Sequence, residues 1–500
     1  MKNQFSKINT IISVPIIVIV IGYLLLVSVD LIPREWIDRQ AWETAEILSE
    51  QGTYPMGFLD GFFLDNWTDA DCVSISINRS STNPFYNALH GYEYGSADDP
   101  QPASIEALQS AVEGRATIIL DHSYLWNGFQ IWLRPLLIRY NITEIRMLMY
   151  IIMIVVSTLL CVMLVIEKRN ILGFIPFLIS ITFFNFQMES LSILFFNDLF
   201  IAIVGSISFL VLYRINDLKY TLEVFALIGA VVAFSSMFIL PLTTLCFPLI
   251  VLFSLVRGCN DKLKKLVKYS ISWLYGYSVV MISKLIISKI FIDAPGISRV
   301  ASYLGKDKFT LYDRIYRTLI VINKIYIRSK VESDFMLSAL LMLMLFVILK
   351  KRDNLIHIKD TWVLMVIALF PVLWCLVCTG HIGHGWTYWN YSVSIFAVME
   401  IIWDMCDFRK DQFNVMRSEN NSDYLLNQSF ASIMTESVND SVHDDIARVV
   451  KRGITILMPC LNEEKTLKAC IIKARHSLDN MGGYFAERFL LQTMAVRTAQ

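Results

Sequence analysis

Charge is scarce in this sequence. Asp, Glu, Lys and Arg make up only 18% of it, and the 44 acids balance the 44 bases. A net charge of zero exerts no general pull on polyanions, so nucleic acid is not an expected partner. Charge is rarer still inside the apolar runs. Stretches of about 16 to 20 apolar residues recur with almost none, which is the length that spans a bilayer core of roughly 30 Å. Cysteine is sparse and scattered, with 9 in the chain. Only Cys72 lies in the long polar stretch after the first apolar run, so no disulfide framework is expected. Cys375 and Cys378 stand one helical turn apart in an apolar run without two further ligands, which favours packing over metal binding. Also missing are an internal repeat and a small-residue cleavage site after the first apolar run, Ile11 to Val29, which therefore reads as an uncleaved span.

What is present is apolar surface. Hydrophobic residues make up 55% of the chain and the mean hydropathy is +0.51. These features predict an α-helical polytopic membrane protein of about ten transmembrane helices. After the first span (residues 1–29) comes a large outer loop domain (30–145). Further spans then start near Ile145, Ile171, Ile193, Leu222, Pro241, Ile271, Phe335, Thr361 and Trp386, giving a bundle over 146–405. Pro241 alone separates the fifth and sixth, so a kinked or re-entrant pair is the alternative there. Basic clusters at Lys168-Arg169, Arg214 to Lys219, Arg257 to Lys268, Lys350 to Arg352 and Arg409-Lys410 fall on one side of this layout. By the positive-inside rule that side is the cytoplasm, with both termini on it, as in a bacterial-type inner membrane. The exception is the outer loop over 291–334, basic enough to attract anionic lipid or phosphate. Residues 406–452 turn polar and read as a cytoplasmic linker.

Residues 453–500 open with Gly453-Ile-Thr-Ile-Leu-Met-Pro-Cys-Leu-Asn-Glu-Glu, a short β-rich run, a turn and the start of an amphipathic helix. Strand, loop and helix in that order hold nucleotides at the carboxyl end of a parallel strand. The wording resembles the opening of family 2 glycosyltransferases, and Pro459, Asn462 and Glu463 match the pattern that helps hold a nucleotide-sugar there. The resemblance covers roughly thirty residues. It implies a divalent metal in a full-length domain, but the family's metal-binding Asp-x-Asp and catalytic acid are absent here. Gln492 to Gln500 are compatible with codons that, read two bases on, spell the family's next strand, Asp-Asn-Gly-Ser-Thr-Asp-Gly-Ser. The tail is therefore expected to be an incomplete α/β fragment, truncated by a frameshift and unable to use a nucleotide-sugar. Codon degeneracy is the competing account.

The loop domain is acidic, aromatic and too long for a connector. Asp69 is the expected general base, with Asp71 beside it and His384 at the outer end of the ninth span. Arg134, Trp126, His381 and Lys284 are expected to bind substrate; Lys284 is a charge inside a span. Each has a plainer reading. The cluster from Asp65 to Asp71 suits a helix cap, His381 and His384 suit interfacial hydrogen bonds without a metal, and Lys284 can snorkel. The layout resembles the multi-spanning glycosyltransferases that use a polyprenyl-phosphate sugar. That resemblance implies membrane lipid and a polyprenyl-phosphate sugar as partners, a glycan or protein as acceptor, and a role in cell-envelope glycan assembly. A non-catalytic flippase or transporter-like scaffold is the alternative.

Overall fold

The computed structural model describes residues 2–55, 64–78, 82–95, 104–115, 118–183, 186–236, 240–256, 261–292, 309–318, 358–378 and 390–405. All belong to one compact unit, Met1–Asp411. The expected eighth span, the linker, His381, His384 and the fragment with Pro459, Asn462 and Glu463 lie outside the described residues.

Helix α1 (Lys2–Asp30) carries the first apolar run and packs against two later helices. The loop domain follows. It comprises α2 (Asp38–Gln51), α3 (Asn66–Ile77), the single turn α4 (Pro84–Asn87), α5 (Ser104–Val112) and α6 (Gln130–Leu136). Strands β1 (Tyr92–Gly95) and β2 (Ile118–Asp121) pair antiparallel, with Tyr92 opposite Asp121. The run Cys72 to Ile77 is β-branched, yet it is helical. Asp65 caps α3 by accepting from the Thr68 amide at 3.1 Å and its hydroxyl at 2.6 Å, and the residues from Cys72 to Ile77 are all buried. Capping and burial here outweigh a propensity of a few tenths of a kcal/mol per residue.

The bundle begins with α7 (Ile142–Lys168), entered through a capping box between Asn141 and Glu144. Then come α8 (Ile175–Phe183), α9 (Phe186–Leu191), α10 (Ile193–Arg214), α11 (Thr221–Ser235), α12 (Pro241–Leu255) and α13 (Lys262–Phe291). A helix over 311–318, α14, is followed by α15 (Ile358–Ala368), α16 (Phe370–Val377) and α17 (Ser392–Met405). Several expected spans differ in detail. Over the third, α8 and α9 flank residues 184–185, which lie outside the described residues. The fifth and sixth are separate helices, because Pro241 starts α12 rather than kinking a longer one. The ninth is divided by Pro371, near the start of α16.

Among the described residues, five helices are long and apolar enough to cross a bilayer: Thr10–Asp30, Ile142–Lys168, Ile193–Arg214, Leu218–Ser235 and Lys262–Phe291. The distribution of side chains agrees. Ile16, Val20 and Leu24 of α1 are each about half exposed, and so are Ile151 and Leu159 of α7. Meanwhile Asp69, Arg134, Asp198, Lys284 and Glu400 are buried. Apolar outside and charged inside suits a lipid environment. The chain is a helical, membrane-embedded protein.

At the centre lies α12, with every residue from Pro241 to Leu255 buried. Around it the helices close tightly. Helices α11 and α13 cross at two glycines: a Cβ on Gly276 would overlap the Ala226 carbonyl oxygen, and one on Gly229 the Trp273 carbonyl oxygen. Without a hydrophobic drive between helices in lipid, such close backbone approach supplies the dispersion contact. Gly276→Ala is therefore expected to destabilise the protein by about 1–3 kcal/mol through overpacking. The check is the melting temperature of purified protein in detergent, and an unchanged value would count against this crossing. Lys168 departs from its expected place among solvent-facing cytoplasmic charges. It is buried, paired with Glu400 of α17, and its ammonium lies 5.8 Å from the Trp403 ring centre.

Candidate functional site

Two buried charged contacts lock the loop domain onto the bundle, and a third ties the loop domain together at the end of α1. The first is Asp69, the expected general base, which is fully buried. Its Oδ2 accepts from Arg146 of α7 at 2.6 and 3.2 Å, and its Oδ1 accepts from the Ser192 hydroxyl at 2.9 Å and the Ile193 amide at 2.8 Å. Ser192 is the N-cap residue of α10, so Asp69 also puts negative charge at that helix's positive end. Arg146 is held further by Asn66 and Gln51, at 2.6 and 3.2 Å. A carboxylate with four donors in place is an anchor: to take a proton from an acceptor it would first have to break this network.

Lys284 makes the second contact. It is buried, not snorkelling, and donates to the Leu89 carbonyl at 2.6 Å, with its ammonium 4.9 Å from the Trp126 ring centre. Nearby, the Trp126 indole donates to the Val280 carbonyl at 2.9 Å and Ser288 donates to the Ser123 carbonyl at 2.6 Å. Trp126 stacks on Phe234 of α11 at 5.1 Å. Expected as a sugar platform, it is instead a packed plug between the loop domain, α11 and α13.

Arg134 makes the third. It is buried and donates to the Ser76 carbonyl at 2.6 Å and the Ile32 carbonyl at 3.0 Å, with Asp30 at 3.6 Å. Beside it lies a small cleft, with room for about one water molecule, lined by Asp30, Asn78, Asn87, His90, Gln130 and Arg134, with Leu26, Val29 and Ala88. Asn87 donates to Asp30 Oδ2 at 3.0 Å. His90 Nδ1 lies 3.4 Å from the Ser123 hydroxyl, and its ring packs on Tyr86 at 4.2 Å. An acid, an imidazole, a guanidinium and three amides thus meet where α1 ends. Arg134 is the expected site residue that the structure brings into this group. Asp30 and His90 are not among those expected. The signal for Asp30 was its place as the last residue of an apolar run, which reads equally well as a span boundary.

The other expected residues sit apart. Asp71 is half-buried on α3, and burial, then the charges of Asp65 and Asp71, push the Tyr54 hydroxyl up from its ordinary value. Burial also pushes Asp65 up to about 6, against the hydrogen bonds from Thr68 that lower it. Such a carboxyl is protonated in the folded chain and ionised in the unfolded one between roughly pH 4 and 6. Stability therefore falls as pH rises through that window, by an amount on the order of 2–3 kcal/mol, and stays low above it. Protease resistance of the loop domain should rise on going from pH 7 to 5, and Asp65→Asn should flatten that slope. A slope that persists in the variant belongs to another group.

Two further buried acids lie in the bundle. Asp198 of α10 accepts from the Ser236 hydroxyl at 3.1 Å and the Leu240 amide at 2.7 Å, joining the end of α11 to the start of α12. Glu189 of α9 is buried, and its Oε1 has no hydrogen-bond partner among the described residues. Among the described residues no group of three or more His, Cys, Asp or Glu is placed to hold a metal ion. The triplets Asn78-Arg-Ser80 and Asn141-Ile-Thr143 match the glycosylation sequon, but Asn141 caps α7 and Asn78 is buried at the end of α3. No known protein family, curated protein or solved structure matches this chain.

Proposed function

We propose that this chain is a polytopic protein of about ten spans in a bacterial-type inner membrane, and that it transfers sugar from a polyprenyl-phosphate carrier during cell-envelope glycan assembly. One observation supports this reading most: the cleft at the end of α1, where Asp30, His90 and Arg134 meet at the edge of an apolar helix. A lipid-linked sugar has its reactive carbon at such a level, with the prenyl chain in the bilayer and the phosphate at its surface. In the proposed step an acceptor hydroxyl attacks the anomeric carbon. The Asp30 carboxylate takes the hydroxyl proton, the new carbon–oxygen bond forms, and the carbon–oxygen bond to phosphate breaks. The electron pair leaves with polyprenyl phosphate, whose charge a protonated His90 can steady. Arg134 acts as a positioning residue, since it ties Asp30 to the carbonyls of Ser76 and Ile32. Asp69 and Lys284 hold the cleft's domain in place from either side.

The test uses the full chain in vesicles loaded with radiolabelled hexosyl polyprenyl phosphate and a crude envelope glycan acceptor. Label moving from lipid to acceptor supports the transferase. Lipid crossing the bilayer with its sugar still attached would replace it with the flippase reading.

A further inference from the structure

Helix α14, over 311–318, is short but locally well defined. Asp313 accepts from the Thr310 amide at 2.9 Å and its hydroxyl at 2.6 Å, closing the first turn. Its sequence is amphipathic in an unusual sense, because the exposed face is the apolar one. Leu311 is 72% exposed, Tyr312 74%, Ile315 45% and Tyr316 54%. Positions i, i+1, i+4 and i+5 share one side of a helix. The rings of Tyr312 and Tyr316 lie nearly parallel, 6.2 Å apart. Thr318, by contrast, is buried. Water is a poor environment for such a face.

The placement of α14 says what covers it. Arg314 donates to the carbonyls of Leu376 and Val377 at 3.1 Å each, and so holds α14 against the last turn of α16. Along α15 and α16, Met365, Leu369, Leu373 and Val377 recur every four residues and are all about half exposed. That stripe is the lipid-facing side of an apolar helix pair, and it ends at the residue whose carbonyl Arg314 holds. The exposed face of α14 thus continues a lipid-facing surface at the point where that surface leaves the hydrocarbon. Tyrosine favours this level, with its ring among acyl chains and its hydroxyl among head groups.

Charge selects among lipids. The Arg317 guanidinium is exposed and lies 4.2 Å over the Phe309 ring. We infer that α14 is an interfacial helix that sets Leu311, Tyr312, Ile315 and Tyr316 into the bilayer surface and binds anionic phospholipid head groups through Arg317. This is independent of whether the protein transfers sugar.

The experiment places p-benzoylphenylalanine at position 312 or 316 of the full chain, reconstituted in an equimolar mixture of phosphatidylcholine and phosphatidylglycerol. Irradiation should yield lipid adducts at both positions, with phosphatidylglycerol in excess. The same probe at Glu113, exposed on the loop domain, should yield none. Arg317→Gln should lower the ratio of phosphatidylglycerol to phosphatidylcholine adducts by up to about fivefold, the factor one basic side chain contributes near an anionic surface. Equal labelling of the two lipids would overturn the inference. So would adducts to protein alone, which would make the face a contact for another chain.

Discussion

Asp69→Asn is expected to deplete the folded protein rather than to silence it. The substitution leaves the Arg146 guanidinium buried without its counter-charge. Breaking a buried pair from one side typically costs about 3–5 kcal/mol, much of it the penalty of the stranded ion. It also weakens the bonds that Asp69 accepts from Ser192 and the first turn of α10. Since this carboxylate joins α3 to both α7 and α10, the loop domain should loosen as a unit. The measurements are the amount of monodisperse protein extracted from membranes and its melting temperature in detergent. Removing both charges, with Asp69→Leu and Arg146→Met, should recover part of the loss, because no buried ion then stands alone. Normal yield and melting temperature in Asp69→Asn, together with lost transfer, would overturn the anchor and restore Asp69 as the base.

The sequence reveals these roles unevenly, for physical reasons. Helices α1, α7, α10 and α13 are legible because each combines length with an almost uncharged apolar run, and nothing but a bilayer asks for that. The break between α15 and α16 is much harder to see. Apolar periodicity continues across it, and the chain interrupts itself only where local packing allows. The Asp65 cap is legible because an Asx cap acts within three residues. Arg134 and Lys284 are legible as unusual charges but not as anchors. Their partners are backbone carbonyls far away in sequence: Ser76 and Ile32 for one, Leu89 for the other. A carbonyl carries no sequence signature. Arg146 passes for an ordinary flanking charge for the same reason, since its partners Asp69, Asn66 and Gln51 come together only once α2, α3 and α7 have packed. Asp69 and Asp30 show the converse. Both are acids near apolar runs, and only the packed structure separates Asp69, locked by four donors, from Asp30, which lines a cleft.

That separation predicts which acid the chemistry needs. Asp30→Asn should lower transfer from hexosyl polyprenyl phosphate by about 10²–10⁴-fold, the usual contribution of a positioned general base. An amide cannot take the acceptor's proton, although it can still accept the 3.0 Å bond from Asn87 and so keep much of the local geometry. The cost to folding should be small beside that of Asp69→Asn, because Arg134 lies 3.6 Å from Asp30 and keeps its hydrogen bonds to Ser76 and Ile32. Asp30→Glu should restore part of the rate, with its reactive oxygen displaced by one methylene. Arg134→Gln should act differently. It removes the ties that place Asp30, so yield and rate should fall together. Wild-type transfer by well-folded Asp30→Asn would remove this carboxylate from the mechanism and leave the cleft as a joint between α1 and the loop domain.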